Sequence, residues 1–332
     1  KICDQISDRV LDECLKLDEN AKVACETTFS GNQVTILGEL SVDLDKINFH
    51  NLVEEVLKDC DYYDSCSDGC KVSVDVKVSK QSTELSDMIN RNGTEEIGAG
   101  DQGFMIGYAS NESPNMLPLP CYLARKIIDA HQDFKYNKKW DWLKNDCKTQ
   151  VSMIQTKCQN GLNQGKNYRI LSIIFSTQHK KEINDLEWLR EELKKVIFEA
   201  VPYQYITDET QLFIQPGGLW TIGGATADTG LTGRKIIVDT YGSSIAHGGG
   251  AFSGKDCTKV DRTGAYAARW IAKSIVLSGL AQRAAVQLGY AVGRAFPIAF
   301  CVETFGTGAK TNEEIERIVQ EKIDLRPFYF VK

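Results

Sequence analysis

Two strand-like stretches, Lys22 to Phe29 and Gln33 to Leu40, are joined by only Ser30-Gly31-Asn32. Turn chemistry of this kind folds one strand back on the other, which commits the chain to a β-hairpin near its start. A helix precedes it, from about Asp4 to Leu17, with Ile2, Ile6, Val10, Leu11 and Leu15 at helical spacing. Asn48 opens a second helix to about Lys58, and Lys71 to Val78 alternates as a half-buried strand. Helices and hairpins mixed in this way, without a regular βαβ beat, indicate an α+β fold rather than a doubly wound sheet. No Gly-x-Gly-x-x-Gly strand-to-helix unit with a trailing acid supports a Rossmann domain.

Further along, Ile97 to Gly107 reads as a glycine-rich loop and Leu119 to Phe134 as a helix. A strand near Tyr168 to Thr177 and a charged amphipathic helix near Ile183 to Ala200 follow. After Pro216-Gly217-Gly218 come a short strand and an apolar one, Lys235-Ile-Ile-Val-Asp-Thr-Tyr241. A long helical segment then runs from about Thr263 to Leu288, interrupted at Gly279. An apolar strand, Ala291 to Thr304, and a helix from Thr311 complete the reading.

At 332 residues the chain has room for two or three domains with proper cores. Its net charge of −6 argues against a nucleic-acid binder. With no signal peptide and no long apolar span, the simpler expectation is a cytoplasmic protein in a reducing environment, away from the membrane. The 11 cysteines cannot all pair within one chain. Cys60, Cys66 and Cys70 cluster without the paired units and fourth ligand of a zinc site, so they read as free thiols. Lys1 follows no Met and Lys332 ends no polar tail, so both ends read as cut.

The strongest functional signal is His247-Gly-Gly-Gly-Ala-Phe-Ser-Gly-Lys-Asp-Cys-Thr-Lys-Val-Asp-Arg262. Glycines let backbone approach a ligand, and Lys255 and Lys259 are spaced to face one anion together. Asp256 and Asp261 among these cations suit Mg2+, which arrives with phosphates and keeps one or two protein carboxylates. Gly249 to Lys255 fits the first seven positions of a P-loop, but Asp256 stands where Ser or Thr belongs and no strand leads directly in. Arg234 and Lys235 form a second cation cluster with Asp228 just upstream. On a strand, those two neighbours would point to opposite faces. Gly98-Ala-Gly-Asp-Gln-Gly103 has the character of a hinged lid, and Trp220 offers a flat apolar face to a nucleobase.

These motifs, taken in order, resemble the S-adenosylmethionine synthetase (methionine adenosyltransferase) family. The likeness runs through Lys1-Ile-Cys-Asp-Gln-Ile-Ser-Asp8, Ala24-Cys-Glu-Thr27, Gly98 to Gly103, Gly230-Leu-Thr-Gly-Arg-Lys-Ile-Ile-Val-Asp-Thr-Tyr-Gly242, His247 to Arg262, Tyr266 to Lys273 and Asp324-Leu-Arg-Pro327. The resemblance implies an α+β fold of three similar sheet-plus-helix domains in a pseudo-threefold arrangement. Their bounds fall at 1–82, 96–218 and 219–332, interwoven, with 83–95 a linker into the mobile loop. It implies synthesis of S-adenosylmethionine from ATP and L-methionine, with sulfur attacking C5′ of ATP and the released triphosphate hydrolysed to pyrophosphate and phosphate.

The roles it implies are these. Lys255, Lys235 and Arg234 are catalytic cations around the triphosphate. Lys148, Trp220, Asp228, Ala251 and Lys259 contact the nucleotide. Glu39, Gln81, Asp101, Asp228 and Lys259 contact methionine, Asp261 ligates Mg2+ (a pair of ions per site) and Glu26 ligates K+. The enzyme would be a homodimer or tetramer with shared active sites. Leu219-Trp220 stands where the family has Arg-Phe, Thr83-Glu84 where Pro-Asp is common, and Ala227 where a glycine is usual. The near P-loop alone would instead suggest an ATP-dependent kinase or phosphatase, and a regulatory subunit without catalysis is a third reading.

Overall fold

The structure, a computed structural model, describes residues 1–66, 70–80, 98–157 and 166–331. Gln81, Thr83-Glu84 and the expected linker at 83–95 lie outside the described residues. The chain divides into two compact units. One comprises residues 1–57, 71–118 and 229–332, the other residues 58–70 and 119–228. Three sheets backed by helices make up the described chain, which is α+β as expected. No helix among the described residues is long and apolar enough to cross a membrane.

The first unit begins with α1, Ile2–Leu17, whose buried Cys3, Ile6, Val10 and Cys14 follow the helical repeat. These residues pack on one face of the hairpin formed by β1, Val23–Ser30, and β2, Gln33–Leu40. Gly31 turns the chain at a φ of 58°, in the left-handed region that glycine enters without strain. Val23, Cys25, Thr27 and Phe29 are buried on the α1 side, so Ala24, Glu26, Thr28 and Ser30 take the opposite face. Helix α2, Phe49–Asp59, carries the chain over to β3, Ser73–Lys80, which lies parallel to β2. The two-residue β8, Gly230–Leu231, closes the other edge on β1 and is the short strand expected past Gly218.

A second sheet of this unit pairs β4, Gly103–Ser110, with β9, Arg283–Tyr290, and β9 with β10, Ala299–Glu303, all antiparallel. Across it lies α8, Val260–Leu277, through Ala267, Ala268, Ile271 and Ile275. The contact is close, because a Cβ on Gly107 would sit 2.0 Å from the Ala268 carbonyl carbon. Helix α9, Asn312–Lys322, is set by a capping box between Thr311 and Glu314, as a helix starting at Thr311 requires.

Four sequence expectations are corrected. The apolar run at Lys235 is one helical turn, α7 (Ile236–Asp239), not a strand. Ile237 and Val238 are exposed, and Asp239 N–H donates to Lys235 C=O at 2.9 Å, the bond of a helical turn. The helix from Thr263 ends at Leu277. Gly279, at a φ of 75°, turns the chain, and residues expected to continue the helix form β9 because pairing with β4 and β10 overrides helical propensity. The strand expected over Ala291 to Thr304 is confined to Ala299–Glu303, and the loop expected to Gly107 already becomes β4 at Gly103.

The second unit is built on a long antiparallel pair, β5 (Leu143–Lys157) and β6 (Lys166–His179), with β7 (Gln211–Ile214) parallel to β6. Strands β5 and β7 have no counterpart in the sequence reading. Helices α4, Leu119–Tyr136, and α5, Leu186–Ala200, bury Leu123, Ile127, Leu193 and Ile197 against the sheet residues Ile173 and Phe175.

His131 of α4 is wholly buried here, its Nε2 meeting Thr177 Oγ1 at 2.8 Å. Burial, assisted by the Lys135 ammonium, pulls its pKa from 6.5 down to about 4. The unfolded chain therefore binds a proton that the folded chain refuses between these values. The stability this neutral ring contributes is complete above pH 6.5 and is lost as pH falls toward about 4, on the order of 3 kcal/mol. An NMR titration of the folded protein should show this ring still neutral at about pH 5. A midpoint near that of free histidine would sink the expectation.

Candidate active site

The glycine-rich segment runs as a loop from His247 into the N-terminus of α8, stitched to β1 along its way. Cys25 N–H donates to Gly254 C=O at 2.8 Å, and an antiparallel bridge sets Lys255 opposite Ala24. Residues paired across antiparallel backbone share a face, so Lys255 lies on the side of β1 opposite α1. Ala24 also pairs with Glu39 of β2, and Glu26 lies two residues on, so both carboxylates share that face. The structure thus brings Glu26, Glu39 and Lys255 to one surface.

The cations of the loop are engaged with its acids. Lys255 Nζ meets Asp261 Oδ2 at 2.6 Å, and both side chains are about one-fifth exposed, 21% and 23%. Lys259, at the start of α8, meets Asp256 Oδ2 at 2.5 Å. Asp256 differs from Asp261 in being buried, with its side chain 1% exposed. Its Oδ2 also accepts Val23 N–H at 2.7 Å, and its Oδ1 accepts the Thr258 hydroxyl and N–H at 2.6 and 2.9 Å. Burial pushes the Asp256 carboxyl up, but Lys259, Thr258 and the Val23 N–H outweigh it and hold it below the usual carboxylate range. Both oxygens are occupied, so Asp256 is a structural bracket and not the metal-binding carboxylate its position in the motif suggested.

Asp261 is suited to a cation. It stands in the first turn of α8, its Oδ2 on Lys255, and a Cβ at Gly250 would come within 2.3 Å of its Oδ1. Mg2+ needs few protein carboxylates when phosphate oxygens and water complete its shell, and one partly exposed carboxylate among lysines fits that requirement. Glu26, exposed on the open sheet face, offers an oxygen ligand for K+. Among the described residues no group of three or more His, Cys, Asp or Glu side chains that could hold a metal ion is present.

Arg234 and Lys235 are exposed, and neither is ion-paired to a carboxylate among the described residues. Arg234 donates to Thr229 C=O at 3.1 Å. Because the residues beyond them form a helical turn, the strand rule that separated them does not apply. Their loop touches the glycine segment, since a Cβ at Gly233 would lie 2.4 Å from that of Ala251. His247 accepts Gly249 N–H on Nδ1 at 2.7 Å, and partial burial lowers its pKa against Asp239 and Asp261. Asp101 is exposed and bonds the Gln102 N–H beside the Ala99–Val292 bridge.

Three expected residues lie in the second unit. Lys148 Nζ stands 5.4 Å from the centre of the Trp220 ring. The indole is held by its Nε1–H to Ile222 C=O at 2.6 Å and its backbone N–H to His179 Nε2 at 3.0 Å. His179 in turn meets Lys180 C=O through Nδ1 at 2.9 Å, so Nδ1 carries the proton. Asp228 is exposed just after the helical turn α6, Gly224–Ala227. Gln81 lies outside the described residues.

A cleft of about 620 Å3 in the first unit includes Lys255, Asp256 and Arg262 in its lining, but its walls are mainly apolar, with Leu11, Leu15, Tyr266 and Trp270 among them. An apolar wall does not repay a polyanion for lost water, so the glycine loop is the better anion site. Sequence reasoning missed Asp4 and Asp8, which hold the two cation loops. Their signals were a spacing of four on α1 and a place in the motif Lys1 to Asp8, neither of which names a partner.

Models of S-adenosylmethionine synthetase domains match the chain in order. The N-terminal domain matches residues 1–83, the central domain 96–220 and the C-terminal domain 222–332.

Proposed function

We infer that this chain, which belongs to the S-adenosylmethionine synthetase family and carries the full domain set of a methionine adenosyltransferase, makes S-adenosylmethionine from ATP and methionine. We propose that its own residues do so by holding the triphosphate as a leaving group while methionine sulfur attacks C5′ of the ribose. The observation that carries this reading is the meeting of the two cation-bearing loops, where Gly233 abuts Ala251. Lys255, Lys235 and Arg234 act as the catalytic cations, meeting charge that grows on the triphosphate as the C–O bond breaks. Lys259, anchored to Asp256, adds its charge to the nucleotide and methionine sites. No protein nucleophile is required, so positioning and electrostatics supply the acceleration.

In this reading adenine stacks on Trp220 beside Lys148, with Ala251 against the nucleotide. Glu39, Gln81, Asp101 and Asp228 hold methionine. Asp261 would hold Mg2+ and Glu26 would hold K+; the bound cations neutralise triphosphate charge. After transfer, Lys255, Lys235 and Arg234 retain the triphosphate for hydrolysis by water to pyrophosphate and phosphate. A homodimer or tetramer with shared sites belongs to the reading and is supported by the exposed Ile237 and Val238 beside the second cation group.

The test is product identity by mass, using full-length protein with ATP, methionine, Mg2+ and K+. The expected result is a sulfonium product formed only with methionine, alongside pyrophosphate and phosphate in equal amounts. Formation of ADP with a phosphorylated acceptor would overturn the reading in favour of a kinase. Trp220→Ala should raise the KM for ATP about tenfold, the worth of one base stack, with a smaller change in kcat. An unchanged KM would remove Trp220 from the nucleotide site.

A further inference from the structure

Helix α1 carries Asp4 and Asp8 four residues apart, and so on one face about 6 Å from each other along the axis. Each accepts a hydrogen bond from the glycine that directly precedes an expected catalytic cation. Asp4 Oδ1 takes the Gly233 N–H at 2.9 Å, just before Arg234-Lys235. Asp8 Oδ1 takes the Gly254 N–H at 2.9 Å, just before Lys255.

Both cation segments are also gripped on their far side. Asp4 Oδ2 holds Lys1 Nζ at 2.9 Å, and that ammonium reaches on to Asp239 at 2.5 Å, at the end of the turn that follows Lys235. Asp8 Oδ1 holds Arg262 Nη1 at 2.7 Å, and the same nitrogen donates to Lys255 C=O at 3.3 Å. Between the two acids, Ser7 Oγ joins Thr27 and Thr232 at 2.9 and 2.8 Å, fastening the helix to β1 and to the first cation loop. Neither acid is offered to a ligand as a free carboxylate. Asp4 is 5% exposed, and Asp8 already carries a guanidinium.

We propose that Asp4 and Asp8 are positioning residues, and that α1 is a rigid ruler that holds the Arg234-Lys235 and Lys255 cation groups at one fixed spacing, so that a single polyphosphate meets both. This inference rests on the triphosphate site proposed above. Loops rich in glycine have no rigidity of their own, and a helix anchored by Ile6, Val10 and Cys14 in the core lends them its own. An anion long enough to meet both groups gains from fixed spacing. A short anion, which meets one group at a time, does not.

The experiment is calorimetric binding of tripolyphosphate and of orthophosphate to full-length protein with Mg2+, for wild type, Asp4→Ala, Asp8→Ala and the two Asn variants, each with a thermal melt. Asp4→Ala and Asp8→Ala should weaken tripolyphosphate about tenfold, the loss of one charge-assisted hydrogen bond. Orthophosphate should change less than about twofold, since one phosphate spans no gap. Asn keeps an acceptor for the glycine N–H but lacks the charge, so it should fall between wild type and Ala. Equal losses for both anions that track the melting temperature would mean a merely structural role and overturn the proposal. Unchanged tripolyphosphate affinity in folded Ala variants would overturn it too. Should wild type itself bind tripolyphosphate no better than orthophosphate, the triphosphate reading falls and the ruler with it, a result distinguishable from failure of the variants alone.

Discussion

Lys255→Ala should lower kcat for sulfonium formation by about 10²–10³-fold while leaving the protein folded. The fold survives because of where the pair sits. Lys255 and Asp261 are each about one-fifth exposed, at 21% and 23%, so removing the ammonium leaves a carboxylate that water can reach. Pairs that water still reaches contribute about 1 kcal/mol to stability. The backbone bridge to Ala24 and the Asp8 hydrogen bond to Gly254 do not depend on the lost side chain. The rate suffers because the negative charge on the triphosphate is larger in the transition state than in bound ATP, so the loss falls on kcat more than on KM.

Lys259→Ala makes the contrast. Its partner Asp256 is 1% exposed, and stripping one partner from a buried pair typically costs about 3–5 kcal/mol. That variant should melt markedly lower as well as lose rate, although Val23 and Thr258 still bind Asp256. Saturation kinetics and thermal melts on both variants decide the matter. A Lys255→Ala protein with wild-type kcat would remove that residue from catalysis.

Why some of this was legible in the sequence and some was not follows from the range of the forces involved. The hairpin of β1 and β2 and the helix α1 are set by local turn chemistry and by apolar spacing, so neighbouring residues alone suffice to specify both. The run Ile236-Ile-Val238 is not specified in this way, because a short apolar stretch suits strand or helix equally, and it forms a helical turn. Residues Arg283 to Tyr290 fail for the opposite reason: neighbours far away in sequence, β4 above all, make them a strand. Two aspartates five positions apart, Asp256 and Asp261, looked alike in the motif. Burial alone makes one a bracket and leaves the other open to a cation. Asp4 and Asp8 show the limit most clearly, since their spacing was visible but the glycines they hold lie 229 and 246 residues away.

The glycine loop gives the sharpest separation between folding and chemistry, because three of its glycines answer to different constraints. Gly254 has a φ of 76°, and a Cβ there would stand 2.0 Å from the Cys25 carbonyl oxygen. Left-handed strain alone costs an alanine about 1–2 kcal/mol. The clash also forces apart the Cys25–Gly254 bond that stitches the loop to β1. Gly254→Ala is therefore expected to lose several kcal/mol of stability, roughly 3 or more, and nearly all activity.

Gly250 has no such backbone strain, but its Cβ would meet the Asp261 carboxylate at 2.3 Å, so the side chain that must yield is the expected Mg2+ ligand. Gly250→Ala should keep the melting temperature within a few degrees and still lose at least about tenfold in rate, with a higher Mg2+ requirement. Gly249 faces open space at a φ of 98° and should pay only the backbone strain, about 1 kcal/mol, with activity near wild type. If Gly249→Ala proved as damaging as Gly254→Ala, backbone strain and not contact would govern the loop. Unaltered Mg2+ dependence in Gly250→Ala would take Asp261 out of the metal site. The ordering holds only if the loop is a shaped anion cradle, since a flexible surface loop would accept a methyl group equally well at all three positions.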